Sequence, residues 1–228
     1  MSKLHAAAVA LSAVLYMPLV HGCASESRAQ QQAGETRIFP NSSAAAAYGL
    51  ETLRKAVGPD NYRELGFASI DELSGARLGS PLHVFFVRLD RLREFSAGAD
   101  PNPLFTDNRQ DHYPVQVGDQ ARAAIVTEQV PQGWTTVSMG NAGLARQIDR
   151  VRKAMPRSGA SRPENDALVQ VPALGIFFLG NRRTDGSWEL TPLVDQPSLQ
   201  LRAGATMPAG QALAALVPAA RAYNGLPM

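Results

Sequence analysis

The sequence predicts an α+β fold in which helices flank an antiparallel sheet made of a meander and a hairpin. Tyr113–Val117, Gln120–Val130 and Trp134–Met139 are strand-like runs separated only by Gly118-Asp119 and Pro131-Gln132-Gly133. Connections that short fold consecutive strands back on one another. Val169–Leu179 and Ser187–Val194 flank the turn-forming Asn181–Gly186 and form the expected hairpin. Apolar residues return every three to four positions at Ala46, Leu50, Leu53 and Val57, and again at Leu144, Ile148, Val151 and Met155. That spacing belongs to helices with one buried face.

In chain order, Asn41 or Ser42 can cap the first helix, and Gly58-Pro59 ends it. Pro59-Asp60 is expected to open a short second helix through Leu65. Ser69-Ile70-Asp71-Glu72 has the capping-box form, so another helical turn follows. Leu82–Leu89, bounded by Gly79-Ser80-Pro81, reads as a buried strand, and Asp90–Phe95 as a helical turn. Ser96–Gln110 holds Gly98, Pro101, Pro103 and Asp107-Asn108 and is expected to be a long loop. Gly140-Asn141 ends the meander and starts a helix. Pro156–Asp166 reads as a polar linker. Pro172 and Gly175 interrupt Val169–Leu179, which points to an edge position or a bulge. Pro208 suits the first position of a last helix with Leu213, Leu216 and Val217 inward, which Pro218 kinks or ends.

Ahead of this domain stands an address. Lys3 supplies a short positive region, and Ala6–Met17 is an apolar and small-residue run relieved only by Ser12. Twelve residues suit a signal-peptide core of roughly 7–15 and fall short of the about 20 that span a bilayer. Val20-His21-Gly22-Cys23 follows, with the single cysteine of the chain. This stretch resembles the lipobox of bacterial lipoprotein precursors, with His21 standing where Ala or Ser is more usual. The resemblance covers residues 1–23 only. It implies that Cys23 carries a diacylglycerol thioether, that residues 1–22 are removed, and that the new amino group is acylated. Two acyl chains give stable anchoring where one does not. The competing reading is ordinary secretion, with cleavage after Gly22, which leaves a free thiol, or after Ala24. Residues 23–37 then form the lipidated cysteine and a polar tether, and residues 38–228 a single globular domain. Ala24, not Asp, follows Cys23, which resembles the outer-membrane class of lipoproteins. The expected location is therefore the cell envelope, at the outer membrane facing the periplasm.

Composition narrows the partners. Beyond Cys23 the mature chain has no cysteine, so neither disulfides nor a thiolate metal site can stabilise it. The formal charge of +2 gives no support to nucleic-acid binding, and no cofactor motif is present. Gly140-Asn141-Ala142-Gly143-Leu144-Ala145 opens a helix, but it has neither dinucleotide-fingerprint nor P-loop spacing and reads as a helix-start turn. Hydrolase signatures such as Gly-x-Ser-x-Gly and His-Glu-x-x-His are missing.

No catalytic or metal residues are assigned. His83 lies inside the hydrophobic strand and reads as a sheet-face histidine. Adjacent strand residues point to opposite faces, so Asp111 and His112 cannot converge without a bend. Arg146, Arg150, Lys153 and Arg157 recur along one helix face, with Arg152 nearby. They form either a solvated outer face or a basic stripe for anionic lipid or an acidic envelope partner. The leading expectation is a lipid-anchored envelope protein that binds or scaffolds without catalysis, held to the membrane through Cys23. The alternative is an envelope hydrolase with a site near Asp107, Asp111 and His112. A host- or polymer-binding surface lipoprotein is not separable from the first reading.

Overall fold

The computed structural model describes residues 37–155 and 163–225. It has the expected α+β class, a large and mostly antiparallel sheet with helices on both faces. The strands are β1 (Arg77–Leu78), β2 (Leu82–Val87), β3 (Phe105–Val117), β4 (Gln120–Val130), β5 (Gly133–Gly140), β6 (Asp166–Val171), β7 (Ile176–Arg182), β8 (Trp188–Pro192) and β9 (Met207–Pro208). The helices are α1 (Ser42–Ala56), α2 (Leu89–Glu94), α3 (Ala142–Ala154) and α4 (Ala209–Ala222).

The sheet runs β5-β4-β3-β2-β6-β7-β8-β9, with β1 added beside β3. Two meanders, β2 to β5 and β6 to β9, therefore grow in opposite directions from a central seam. At that seam β2 and β6 pair in parallel, Val84 opposite Leu168. Every other pairing is antiparallel.

Register decides which helix covers which face. Val115, Tyr113, Asp111, His83, Ala167 and Val169 share one face through the pairs His83–Asp111 and His83–Ala167. On that face α1 lays Leu50 and Leu53 against Tyr113, Val115 and Ile125. Farther along it, α2 and α4 bury Leu92, Leu213 and Leu216 against Val169, Phe178 and Leu190. The opposite face carries Leu82, Val84, Leu168 and Leu179, covered by Ile148 and Val151 of α3 and by Met155 at its C-terminal cap.

Asn41 caps α1, accepting from the Ala44 N–H at 2.8 Å. The Ser42 hydroxyl is left free to bridge the Tyr113 hydroxyl and Thr127 Oγ1, each at 2.9 Å, in the interior. Asn141 caps α3 from a left-handed backbone, φ 51°, with its Oδ1 accepting from the Leu144 N–H at 3.4 Å.

Several local expectations differ from the structure. Residues 59–66 form successive turns, not a helix. Ser69 makes no capping bond, while Glu72 accepts from the Ala68 N–H. The expected loop 96–110 ends early, because β3 begins at Phe105. Asp107-Asn108 is turn chemistry inside a strand: the β2–β3 register shifts there, and Arg109 turns to φ 53°. Pro172 and Gly175 do not mark an edge. They form the connection between β6 and β7, and β6 lies at the centre of the sheet. Pro218 sits inside α4, which continues to Ala222.

Candidate functional site

Two polar features occupy opposite faces of the seam, and each contains a histidine. On the α1/α4 face, His83 of β2 stands in the gap that the helices leave. Its Nδ1 lies 2.9 Å from Asp111 Oδ1 and its Nε2 lies 2.8 Å from Asp107 Oδ1. The bulge makes this arrangement: it skips two residues of β3 against β2 and aims Asp107 back at the far edge of the ring. Asp107 is held by the Arg109 N–H at 2.6 Å.

A neutral imidazole has one N–H, so only the imidazolium donates to both carboxylates. The Asp111 bond raises the His83 pKa above its ordinary value, against the opposing cost of burial, and Asp107 adds to the rise. Burial pushes the Asp107 carboxyl up, but the Arg109 N–H and His83 outweigh it and hold it below the usual range. With both ring nitrogens engaged, His83 has no lone pair with which to take a proton from a substrate. The carboxylates also sit at opposite edges of the ring, so the three do not converge on one point. Among the described residues no group of three or more His, Cys, Asp or Glu is arranged to hold a metal ion.

Beside His83 opens a shallow cleft of about 250 Å³, lined by Phe85, Ala167, Arg182, Arg183, Glu164 and Trp188 among others. Its wall is aromatic. His83 meets Phe85 edge-on at 5.0 Å, Phe85 meets Trp188 edge-on at 5.1 Å, and Trp188 lies 4.9 Å from Phe105. Gly180 lies beneath the Trp188 ring, where a Cβ would come within 3.0 Å of both Trp188 and Val169. Arg183 is bonded to Glu189 at 2.9 Å, while Arg182 is exposed at the rim.

His112 projects from β3 to the α3 face and is 2% exposed. Burial lowers its pKa to about 4, so the ring is neutral at pH 7. Neither ring nitrogen has a hydrogen-bond partner. The structure therefore brings Asp107 and Asp111 together on His83 and places His112 on the other side of the sheet.

The basic residues of α3 separate in the same way. Arg146 and Arg150 are exposed on its outer face. Lys153 pairs with Asp149 at 2.7 Å and donates to the Asp119 carbonyl. Arg152 turns inward instead, its Nε 2.9 Å from Asp166 Oδ2, and Asp166 also accepts from Asn181 Nδ2 at 2.9 Å. Cys23 and Arg157 lie outside the described residues.

The aspartate clamp on His83 was not foreseen from the sequence, although strand alternation correctly separated Asp111 from His112. Its only sequence signal was the Asp107-Asn108 turn pair. No family model, curated protein or solved structure matches this chain.

Proposed function

We propose that this chain is a lipid-anchored cell-envelope protein whose folded domain binds, rather than transforms, a component of that envelope. The observation that carries the anchor is Val20-His21-Gly22-Cys23 at the end of an apolar run, followed by polar residues up to the folded domain. Residues between Cys23 and Arg37 reach at most about 50 Å when extended, so a domain held this way stays within binding distance of its membrane. Ala24 favours the periplasmic side of the outer membrane. Binding over catalysis is supported by the His83 clamp, whose ring nitrogens are both committed to carboxylates.

Arg146 and Arg150, one turn apart and exposed on α3, are the surface for anionic headgroups or an acidic partner. Basic side chains near an anionic membrane each contribute about 1 kcal/mol. The test is co-sedimentation at low salt with phosphatidylglycerol vesicles, using the full mature chain carrying Cys23→Ala so that only the domain contributes. Arg146→Glu with Arg150→Glu should lower the affinity at least about tenfold with an unchanged circular dichroism spectrum. Equal sedimentation of the two proteins retires the stripe as the binding surface.

A further inference from the structure

We infer that the α3 face holds a second binding site, a cavity beside His112 that takes a small uncharged molecule with a hydrogen-bond donor and acceptor at one end. The cavity measures about 290 Å³ and is lined by Val84, His112, Ser138, Leu144, Gln170 and Phe177 among others. It lies between the first turn of α3 and the strands around the seam, with the exposed Val137 and Ser138 of β5 at its rim. That size stands at the low end of ligand pockets and equals the liquid volume of about ten waters, room for roughly ten non-hydrogen atoms.

Two observations carry the assignment. The first is the cavity itself, apolar along Val84, Leu144 and Phe177, with Gln110, Ser138, Asn141 and Gln170 as polar points. The second is His112. It is one of the residues lining the cavity, its two ring nitrogens are closed to solvent, and neither is hydrogen-bonded. Folded proteins leave few buried polar atoms unpaired, because desolvation without a partner is unfavourable. A neutral imidazole offers one donor and one acceptor, and binding here requires the ring to turn so that an occupant meets one of them.

Charge sets the ligand class. None of the residues lining the cavity carries a charge at pH 7, so an ion entering it would lose its hydration without a counter-charge. An uncharged occupant with an apolar body and a carboxamide-like end meets both walls. This site is distinct from the His83 cleft and does not depend on the lipid anchor, so each reading can fail alone.

Benzamide is the probe, with benzoate and toluene as its charged and purely apolar counterparts. Each is titrated at pH 7 into the full mature chain carrying Cys23→Ala, with methyl resonances of Val84, Leu144 and Val126, which also lines the cavity, and the ring ¹⁵N signals of His112 observed. Benzamide should bind saturably with Kd on the order of 1 mM, as expected for so small a ligand, and shift both sets of signals. Benzoate should bind at least tenfold more weakly. His112→Phe should weaken benzamide at least tenfold while toluene binding persists. Leu144→Trp, which fills the cavity from α3, should abolish binding of both.

No saturable benzamide shift up to its solubility limit overturns the assignment and leaves a cavity that holds water. Equal benzamide affinity in wild type and His112→Phe overturns the role of the ring. Should His112→Phe fail to fold, benzamide binding retained in Leu144→Trp is equally decisive against the site.

Discussion

His83 and His112 sit on neighbouring strands, yet their surroundings drive them in opposite directions. The His83 side chain is 37% exposed and clasped by two carboxylates, which favours its charged form. His112 is buried without a partner, which favours its neutral form. Their contributions to stability therefore have opposite signs. The folded pKa of His112, about 4, lies below the ordinary histidine value of 6.5, so the unfolded chain binds more protons between those values. Stability falls as pH drops through that window, by about 3 kcal/mol in full. His83, with a raised folded pKa, contributes stability below pH 6.5 that is lost as pH rises through the folded value. Urea denaturation at a series of pH values separates the two. His112→Phe should flatten the loss between pH 6.5 and 4, and His83→Gln should flatten the loss above pH 6.5. An acid limb equally steep in wild type and His112→Phe contradicts the buried, neutral assignment. Strand alternation made the opposed faces of Asp111 and His112 legible in the sequence. The clamp was not legible, because Asp107-Asn108 has the composition of a loop and only the β2–β3 register shows that it is a bulge.

At the level of the element, α3 shows how one helix serves two purposes. Its 3.6-residue period places Arg146, Arg150 and Lys153 outward and Ile148 and Val151 inward, and this was readable from spacing. Arg152 lies at the boundary of those faces. It reaches under the helix to Asp166, whose side chain is fully buried, and ties α3 to β6 and through Asn181 to β7. Arg152→Ala removes a charged bond to that buried carboxylate and should destabilise the fold by about 3 kcal/mol. Arg150→Ala, on the exposed face, should change stability by less than about 0.5 kcal/mol. Equal urea midpoints for the two variants would remove Arg152 from the interior. Sequence spacing could not find this pair, since Asp166 stands at the end of what reads as a polar linker. The central place of β6 was hidden for a related reason. Ala167, Leu168, Val169 and Val171 are all buried, so both faces of the strand are covered and the alternation that marks a one-sided strand is absent.

At the scale of the molecule, the parallel β2–β6 seam joins two meanders into one sheet. The local hairpins were legible because their turns lie within a few residues of the strands they join. The seam was not, because its partners are separated by the whole first meander and by α3. Opposed coverage by α1 and α4 on one face and α3 on the other leaves the His83 cleft and the His112 cavity back to back across the seam. The proposed anchor rests on Cys23. The most direct measurement is the intact mass of the mature protein extracted from membranes, wild type beside Cys23→Ala. The account predicts a wild-type chain beginning at Cys23 with a lipid-sized mass increment that the variant lacks. An unlipidated wild-type chain beginning at Cys23 or Ser25 would contradict it and make this a secreted protein without an anchor.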